Sequence, residues 1–343
     1  MRFQNTLGLL ALLSSRVAIA SPSPSPPLLQ QQQQKPLRPT SDGDDENDTP
    51  LPLLIWHGLG DSFSAPGIRS VGELAEEVNP GTLVYYVRIG EDANSDRSAT
   101  WFGNVTQQME KVCEEINAHP ILSTAPALDA LGFSQGGQFL RGLGQMCEGV
   151  QLRSLLTFGS QHNGITEFKA CGGTDWLCKS AMALLHGSTW SSWVQGRLVP
   201  AQYFRDPATE ETYENYLEYS NFLADINNER EEKNAEYKKK IGGMSNFVMY
   251  MFEEDTVAIP KETSWFEEVN GTESVPLRAR KLYTEDWLGL RELDRKGGVK
   301  FRKAKGDHMQ LDDELLREAF GEFFGPMGKK FAVEDGEETI DEL

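Results

Sequence analysis

The chain has 343 residues, a hydrophobic fraction of 39% and a formal net charge of -19 at pH 7. This length accommodates one large α/β domain or two small ones. The acidic charge argues against a nucleic-acid partner, because phosphate binding requires clustered Lys and Arg. Much of the charge lies in the stretches 42–48 and 334–342, which we interpret as solvated tails.

The first 20 residues have the organisation of a secretory signal peptide. Arg2 precedes the apolar run T-L-G-L-L-A-L-L, and the small residues Ala18 and Ala20 fit a cleavage site after Ala20. This segment is too short to span a bilayer, and no later stretch reaches the length of a transmembrane helix. We therefore expect a mature protein that is soluble in the lumen of the secretory pathway or outside the cell.

The cysteines and sequons agree with an oxidising compartment. An even number of cysteines without metal-like C-x-x-C spacing predicts two disulfides. Four cysteines allow three pairings; a Cys171–Cys178 bridge closes a short loop and leaves Cys113 with Cys147. The candidate glycosylation sites are Asn47 in N-D-T, Asn104 in N-V-T and Asn270 in N-G-T.

Strand-like and helix-like patterns alternate along most of the chain. Residues 21–50, rich in Pro, Gln, Ser and acid, predict a disordered spacer. From 51 to 328 the alternation predicts one α/β domain with a mostly parallel central sheet flanked by helices and a ligand site at the carboxyl ends of the strands. The interval 171–243 breaks the alternation, and we interpret it as a helical insertion covering that site. Residues 329–343 form an acidic C-terminal tail.

The stretch G-F-S-Q-G, residues 132–136, matches the motif G-x-S-x-G. The strand-like P-A-L-D-A-L precedes it and the helix-like G-G-Q-F-L-R follows. In this motif the serine occupies a strained turn at the end of a strand, and the glycines allow close approach of the helix and the neighbouring strand. The pattern predicts an α/β-hydrolase fold with Ser134 as the nucleophile.

A serine nucleophile needs a general base that is oriented by a carboxylate, and in this fold the chain order is Ser, acid, His. His308, in K-G-D-H-M-Q-L, is the histidine that follows the last strand, so we predict that it is the base. Asp255 follows the next-to-last strand and is the predicted acid; Glu253 and Glu254 are close but are assigned to the strand end. We interpret Asp307 as a loop-capping residue.

The oxyanion of an acyl-transfer intermediate needs two N–H donors. One comes from the residue after the nucleophile, which is Gln135. The second comes from the loop after an early strand, here W-H-G-L-G-D, where the amide of Leu59 is the candidate. His57 in the same loop is interpreted as structural.

These segments together resemble the palmitoyl-protein thioesterases, lysosomal α/β hydrolases that remove fatty acyl groups from cysteine. The likeness extends from about residue 51 to 325 through I-W-H-G-L-G-D-S, G-F-S-Q-G-G-Q-F-L-R, G-S-Q-H-N-G, F-L-A-D-I-N-N-E-R, L-Y-T-E-D-W-L-G-L and G-D-H-M-Q-L. The resemblance implies a catalytic triad of Ser134, Asp255 and His308, oxyanion donors Leu59 and Gln135, and disulfides Cys113–Cys147 and Cys171–Cys178.

The resemblance implies hydrolysis of thioester-linked palmitate or similar acyl groups from cysteines of proteins or peptides, with acyl-CoA as a further candidate substrate and no metal or cofactor. We expect the acyl groove in the helical insertion. Two alternatives stay open: a lipase or carboxylester hydrolase of the same fold, and a catalytically inactive lipid-binding homologue.

The expected destination is the lysosome or vacuole, or the outside of the cell. The C-terminal I-D-E-L resembles an H-D-E-L retrieval signal with its first position changed, which makes retention in the endoplasmic reticulum an alternative. An acidic tail without a targeting role is the other interpretation of this segment.

Overall fold

The structure is a computed structural model that describes residues 49–167, 179–180, 182 and 189–332. A sheet of six strands lies at its centre. The strands of this sheet are β1 (Leu53–Trp56), β2 (Val84–Tyr86), β3 (Leu128–Phe133), β4 (Leu152–Phe158), β5 (Asn246–Phe252) and β8 (Val299–Ala304). Their spatial order is β2-β1-β3-β4-β5-β8, and every neighbouring pair is parallel. The predicted mostly parallel sheet is confirmed. Two short strands, β6 (Glu268–Asn270) and β7 (Glu273–Val275), form a separate antiparallel pair.

Helices follow most of the strands of the large sheet. They are α1 (Pro66–Val78), α2 (Ala93–Ala99), α3 (Val105–Ala118), α4 (Gln135–Met146), α5 (Ser192–Gln195), α6 (Glu210–Tyr219), α7 (Leu223–Ile226), α8 (Ala235–Gly242), α9 (Lys281–Thr284), α10 (Leu290–Arg295) and α11 (Asp313–Phe323). Short 3-10 turns lie at Val199–Tyr203, Lys261–Trp265 and Leu277–Ala279. None of the helices within the described residues combines the length and apolarity needed to cross a membrane.

The two faces of the sheet carry separate hydrophobic clusters. Successive residues of a strand point to opposite faces, so Leu53 and Ile55 of β1 join one cluster while Leu54 and Trp56 join the other. Helices α1 and α11 cover the first face, and α3 and α4 cover the second. Because helices cover both faces, β3, β4 and β5 are buried along their whole length, which explains their continuous apolar runs.

A disulfide joins the two helices on the second face. Cys113 lies within α3 and Cys147 caps the end of α4, and their sulfur atoms are 2.05 Å apart. This is the pairing predicted for these two cysteines. Cys171 and Cys178 lie outside the described residues, so their predicted bridge stays a prediction.

The described part of the chain between β4 and β5 contains the short helices α5, α6, α7 and α8 and the 3-10 turn Val199–Tyr203, joined by irregular segments. The bounds predicted for the insertion, 171–243, stay a prediction. A buried carboxylate, Glu229, connects this segment to the rest of the protein. Its Oε1 accepts hydrogen bonds from Arg205 Nη2 at 2.9 Å and Arg280 Nη2 at 3.2 Å. Its Oε2 accepts from Tyr216 Oη at 2.6 Å. Burial opposes ionisation of Glu229, but the charges of the two arginines outweigh this effect and hold its pKa below the ordinary value.

The two ends of the domain meet beside the sheet. Leu51 N donates to Gly325 O at 3.0 Å, and Pro50 and Pro326 form an antiparallel bridge. The predicted signal peptide, all but the last two residues of the predicted spacer, and the tail from 333 onward lie outside the described residues.

We expect Glu229→Ala to lower the free energy of unfolding by about 3–5 kcal/mol, because two buried guanidinium groups lose their buried counter-charge and keep only the partly exposed Glu268. Urea unfolding followed by tryptophan fluorescence measures this loss. Glu236→Ala is the matched control, since it removes an exposed carboxylate that pairs with Lys239 and should cost less than about 1 kcal/mol. Equal losses in the two variants would contradict the structural role assigned to Glu229.

Candidate active site

Ser134 occupies a sharp turn between β3 and α4. Its backbone has φ 50° and ψ -123°, a conformation that is strained for a residue with a side chain. The glycines of the motif are required by close contacts: a Cβ on Gly132 would lie 2.2 Å from Gly137 Cα, and a Cβ on Gly136 would lie 2.3 Å from Trp56 O. The predicted strand–turn–helix geometry is therefore present around this serine.

The structure brings together the three side chains that the sequence analysis selects. His308 Nε2 lies 3.0 Å from Ser134 Oγ, although the two residues are 174 positions apart. His308 Nδ1 lies 2.7 Å from Asp255 Oδ2. The other carboxylate oxygen, Asp255 Oδ1, accepts from the backbone N–H groups of Val257 at 2.8 Å and Ala258 at 2.9 Å.

These contacts fix the tautomer of the histidine. An ionised carboxylate can only accept hydrogen bonds, so the Nδ1 of His308 carries the hydrogen that faces Asp255. The neutral ring then leaves a lone pair on Nε2, which accepts the hydroxyl hydrogen of Ser134. A bare ring nitrogen in this position can receive the proton of the serine.

Asp307 holds the loop of His308 against the loop of Asp255. Its Oδ1 accepts from the backbone N–H of Thr256 at 2.9 Å and from that of His308 at 2.7 Å. These contacts agree with its interpretation as a loop-capping residue. The Asp307 carboxylate thus holds the loops of Asp255 and His308 next to each other.

The two predicted oxyanion donors belong to segments that adjoin Ser134. The loop of Leu59 packs against the serine, since a Cβ on Gly58 would lie 3.2 Å from Ser134 Cβ. Gln135 is the first residue of α4, and its side-chain Nε2 donates to Thr100 O at 3.2 Å. Within the described segments, the backbone N–H groups of Leu59 and Gln135 donate to no protein acceptor. Both N–H groups are available to a ligand oxygen.

A buried carboxylate that the sequence analysis did not select, Asp96, anchors the loop after β1. Its Oδ2 accepts from His57 Nε2 at 2.8 Å and from the backbone N–H of Phe63 at 2.8 Å. Its Oδ1 accepts from the backbone N–H groups of Ile89 at 2.7 Å and Gly90 at 3.0 Å. Burial raises the pKa of Asp96, but the hydrogen bonds and the charge of His57 outweigh it, so the pKa lies below the ordinary value. The structural role assigned to His57 follows from this pair.

An apolar cavity of about 740 Å³ opens beside Ser134, His308 and Gln161. Its apolar lining consists of Leu59, Ile68, Val71, Leu74, Trp101, Phe133, Ile165, Met182, Pro200, Tyr203, Val257, Met309, Leu311 and Leu316. The sequence analysis expects the acyl groove in the helical insertion, but only Met182, Pro200 and Tyr203 of this lining belong to that segment. Helix α1, which follows β1, and the segment before α11, which follows β8, also form walls because both rise beside the carboxyl ends of those strands.

A second residue that the sequence analysis did not select, Gln161, contacts the serine directly. Its Nε2 lies 3.2 Å from Ser134 Oγ, and its side chain is buried. The residue lies in the G-S-Q-H-N-G segment, which carries part of the family resemblance. Gln161 lies in the loop after β4, the strand next to β3. This position is the sequence signal that points to the contact with Ser134.

The candidate glycosylation sites differ in their surroundings. Asn104 is half-buried, and its side chain caps α3 by accepting from Gln107 N at 3.1 Å. Asn270 is exposed at the end of β6. Asn47 lies outside the described residues.

Comparison with known proteins identifies similar chains. A family model described as "Palmitoyl protein thioesterase" matches residues 52–308. Palmitoyl-protein thioesterase 1 of Caenorhabditis elegans is 33% identical over 270 residues, which cover 78% of this chain and 89% of that protein. A palmitoyl-protein thioesterase-dolichyl pyrophosphate phosphatase fusion of Schizosaccharomyces pombe is 33% identical, covering 84% of this chain and 45% of the fusion. Lysosomal thioesterase PPT2 of Homo sapiens is 28% identical, covering 72% and 78% of the two chains.

We expect Asp96→Asn to destabilise the protein by about 2–5 kcal/mol, because an amide NH₂ would face donors that now contact a carboxylate oxygen. The folded-state pKa of Asp96 lies below its ordinary value. The stabilisation that ionised Asp96 gives the folded protein is therefore complete above the unfolded-state pKa of about 3.9. It is lost as the pH falls through the pKa that Asp96 has in the folded state. Urea unfolding at about pH 7 and about pH 3 should show a difference between wild type and variant that shrinks in acid.

Asp92→Asn is the control for this prediction. Asp92 is an exposed helix cap whose Oδ1 accepts from Asn94 N and Ser95 N. Asparagine caps helices nearly as well as aspartate, so this variant should unfold at nearly the same urea concentration as the wild type. A loss at Asp96 that does not exceed the loss at Asp92 would refute the anchoring role.

Proposed function

The chain belongs to the palmitoyl protein thioesterase family, and from this membership we propose that it removes long-chain acyl groups, with palmitate as the model case, from cysteine residues of proteins or peptides. Its parallel sheet and the turn at Ser134 are those of the α/β-hydrolase fold that the sequence predicts. The observation that carries the proposal is the continuous hydrogen-bonded chain from Asp255 through His308 to Ser134.

In the proposed acylation step, Ser134 Oγ attacks the thioester carbonyl carbon while His308 Nε2 takes the hydroxyl proton. Negative charge develops on the carbonyl oxygen, and the backbone N–H groups of Leu59 and Gln135 are positioned to donate to it. The bond from carbon to sulfur then breaks, and the leaving thiolate takes the proton from His308 Nε2, so that the product is the cysteine thiol and the histidine is neutral again. Asp255 stabilises the imidazolium that forms on His308.

In the proposed deacylation step, His308 takes a proton from water, and the water oxygen attacks the carbonyl carbon of the acyl-enzyme. The bond between that carbon and Ser134 Oγ breaks, and Oγ receives the proton from His308. The fatty acid leaves, and the enzyme returns to its starting state. The steps use the side chains and backbone N–H groups of this site together with water.

The apolar cavity supports a long acyl chain as substrate. Each methylene that leaves water contributes about 0.8 kcal/mol, so a chain of palmitate length gains most of its affinity from such a surface. Three of the most similar proteins carry thioesterase names, two of them palmitoyl-protein thioesterase. We include acyl-CoA among the substrates to be tested because it presents the same thioester and the same acyl chain.

We further propose that residues 51–328 form the catalytic domain and that the protein enters the secretory pathway through a cleaved leader at 1–20. The disulfide Cys113–Cys147 supports an oxidising compartment. The related Homo sapiens protein is named a lysosomal thioesterase, which favours the lysosome or vacuole as the destination. Retention in the endoplasmic reticulum through the terminal I-D-E-L is the competing destination.

We expect Ser134→Ala to lower the turnover of a palmitoyl-cysteine peptide by about a thousandfold or more, because it removes the hydroxyl that carries the acyl chain in the proposed reaction. Thiol release measures the rate, and intact mass detects the acyl-enzyme. Ser123→Ala, at an exposed position, is the control and should retain wild-type turnover. Full activity of Ser134→Ala would overturn the assigned nucleophile.

The same assay separates a thioesterase from a carboxylester hydrolase. A matched palmitoyl oxygen ester should be hydrolysed more slowly than the thioester, because a thiolate is the better leaving group. A clear preference for the oxygen ester would favour the lipase alternative. Absence of any acyl-enzyme in the wild type would favour the inactive lipid-binding homologue.

For the secretory route, we expect the chain secreted from a eukaryotic host to begin at Ser21 and to lose mass on treatment with an N-glycosidase. Peptide mass spectrometry should find the sugar at exposed Asn270 more completely than at half-buried Asn104. A mature chain that still carries residues 1–20 would contradict this route.

A further inference from the structure

The hydroxyl oxygen of Ser134 has two side-chain partners in the structure. His308 Nε2 lies 3.0 Å from it, and Gln161 Nε2 lies 3.2 Å from it on another side. Gln161 is only 4% exposed and borders the cavity. The proposed reaction uses the contact with His308 and leaves the contact with Gln161 without a role.

The direction of the second hydrogen bond follows from the first. The Ser134 hydroxyl has one hydrogen, and the bare Nε2 of His308 accepts it. Any other partner of this oxygen must therefore donate, which requires the NH₂ end of the Gln161 amide to face Oγ. Gln161 Oε1 has no hydrogen-bond partner among the described residues, so nothing in that part of the chain favours the opposite orientation of the amide.

The loop that carries Gln161 is held firmly in place. Gly164 N donates to Gln161 O at 3.0 Å. The next residue, His162, is completely buried, contacts Thr157 Oγ1 at 3.0 Å and stacks on Phe266 with ring centroids 5.1 Å apart. Burial, with the nearby charge of Arg141 adding to it, keeps the pKa of His162 well below its ordinary value, so this ring is a neutral structural anchor. The Gln161 amide is thereby positioned before substrate binds.

We propose that Gln161 is a catalytic residue for deacylation, in which its amide N–H stabilises the negative charge that develops on Ser134 Oγ as the acyl group leaves. This inference rests on the proposed function. A hydrogen bond accelerates a step only if it is stronger in the transition state than in the ground state. The ester oxygen of an acyl-enzyme is a weak acceptor, and it becomes a strong one when the bond to carbon breaks.

The same hydrogen bond contributes little to acylation. There Oγ begins as a hydroxyl oxygen, which is already a good acceptor, and ends as an ester oxygen. The thiolate leaves readily by comparison with an alkoxide, so acylation needs no help at the leaving group. Deacylation must expel the serine oxygen, and Gln161 is the donor that contacts this oxygen. His308 then delivers to Oγ the proton it took from water, which completes the balance of the step.

The test uses the full-length enzyme in excess over a palmitoyl-cysteine peptide, so that no enzyme molecule reacts with more than one peptide. Thiol release then reports acylation, and palmitate release reports deacylation. Gln161→Met keeps the length of the side chain but removes the donor. We expect its palmitate release to slow by about tenfold to a hundredfold. Its thiol release should stay within about threefold of wild type, and acylated Ser134 should accumulate.

Two further variants complete the test. Gln161→Glu keeps the shape of the side chain, and its carboxylate has no hydrogen to donate, so it should show the same split between the two rates. Gln107→Met is the control, because it makes the same change at an exposed position of α3 and should alter neither rate. The fluorescence-detected melting temperature of each variant shows whether it is folded, and Gln161→Glu carries the test if Gln161→Met does not fold.

Two results would overturn the inference while leaving the proposed function in place. One is palmitate release at the wild-type rate in both Gln161 variants. The other is an equal loss of thiol release and palmitate release, which would indicate that Gln161 only aligns the serine. A wild-type enzyme that forms no acylated Ser134 would overturn the proposed function itself, and the inference with it.

Discussion

The strained backbone at Ser134 is the constraint on which the site depends. A side chain at φ 50° costs about 1–3 kcal/mol and persists only where the surroundings impose it. Here the surroundings are the neighbouring strands: Ser134 N donates to Phe158 O of β4 at 2.8 Å, and the next turn of α4 begins with Gly137 N donating to Ser134 O at 3.1 Å. The glycines on either side permit this packing, because any side chain there would overlap β1 or α4.

Once this turn is fixed, the order of the parallel strands supplies the rest of the site. Five adjacent strands, β1, β3, β4, β5 and β8, end at the same edge of the sheet. The segments after them carry, in that order, Leu59, Ser134, Gln161, Asp255 and His308. Each neighbouring strand thus contributes one group, and none of these groups needs to be close to another in sequence. A ligand site at the carboxyl ends of the strands is the expected result of this topology.

The sequence was sufficient for the parts of the site that have a local pattern or a fixed chain order. The turn at Ser134 could be predicted because strand, glycine motif and helix follow one another within about twenty residues. Asp255 and His308 could be selected because they follow the last two strands of the large sheet. These selections stay proposals for catalysis, but the structure does bring the three side chains within hydrogen-bond distance.

Gln161, Asp96 and much of the cavity wall have neither a local sequence motif nor a fixed place in the chain order. Gln161 reaches Ser134 across 27 residues and Asp96 reaches His57 across 39, and both contacts depend on how loops pack above the sheet. Gln161 lies in a loop and Asp96 in the short polar helix α2, and polar residues of such segments are usually solvated, so neither side chain could be distinguished from its neighbours. The cavity wall was also predicted incompletely. The amphipathic pattern of α1 shows that one side of the helix is apolar, but it does not show that Ile68 and Leu74 line the cavity as well as the core.

The two sides of the site use different kinds of interaction, and this difference bears on how a long substrate can be held. Around Ser134 the contacts are directional, and buried groups such as Asp96 prevent the donors from moving. Along the cavity the contacts are apolar and non-directional, so an acyl chain can slide or bend while its affinity depends mainly on the area buried. Binding energy from the part of the acyl chain that lies far from Ser134 can then offset the cost of bringing the carbonyl carbon close to Oγ. Contacts remote from the reacting atoms assist a reaction in this way. The N–H donors around Ser134 are held rigidly and fix which bond reacts. The apolar cavity needs only to retain the acyl chain during the reaction, so the two parts of the site are complementary.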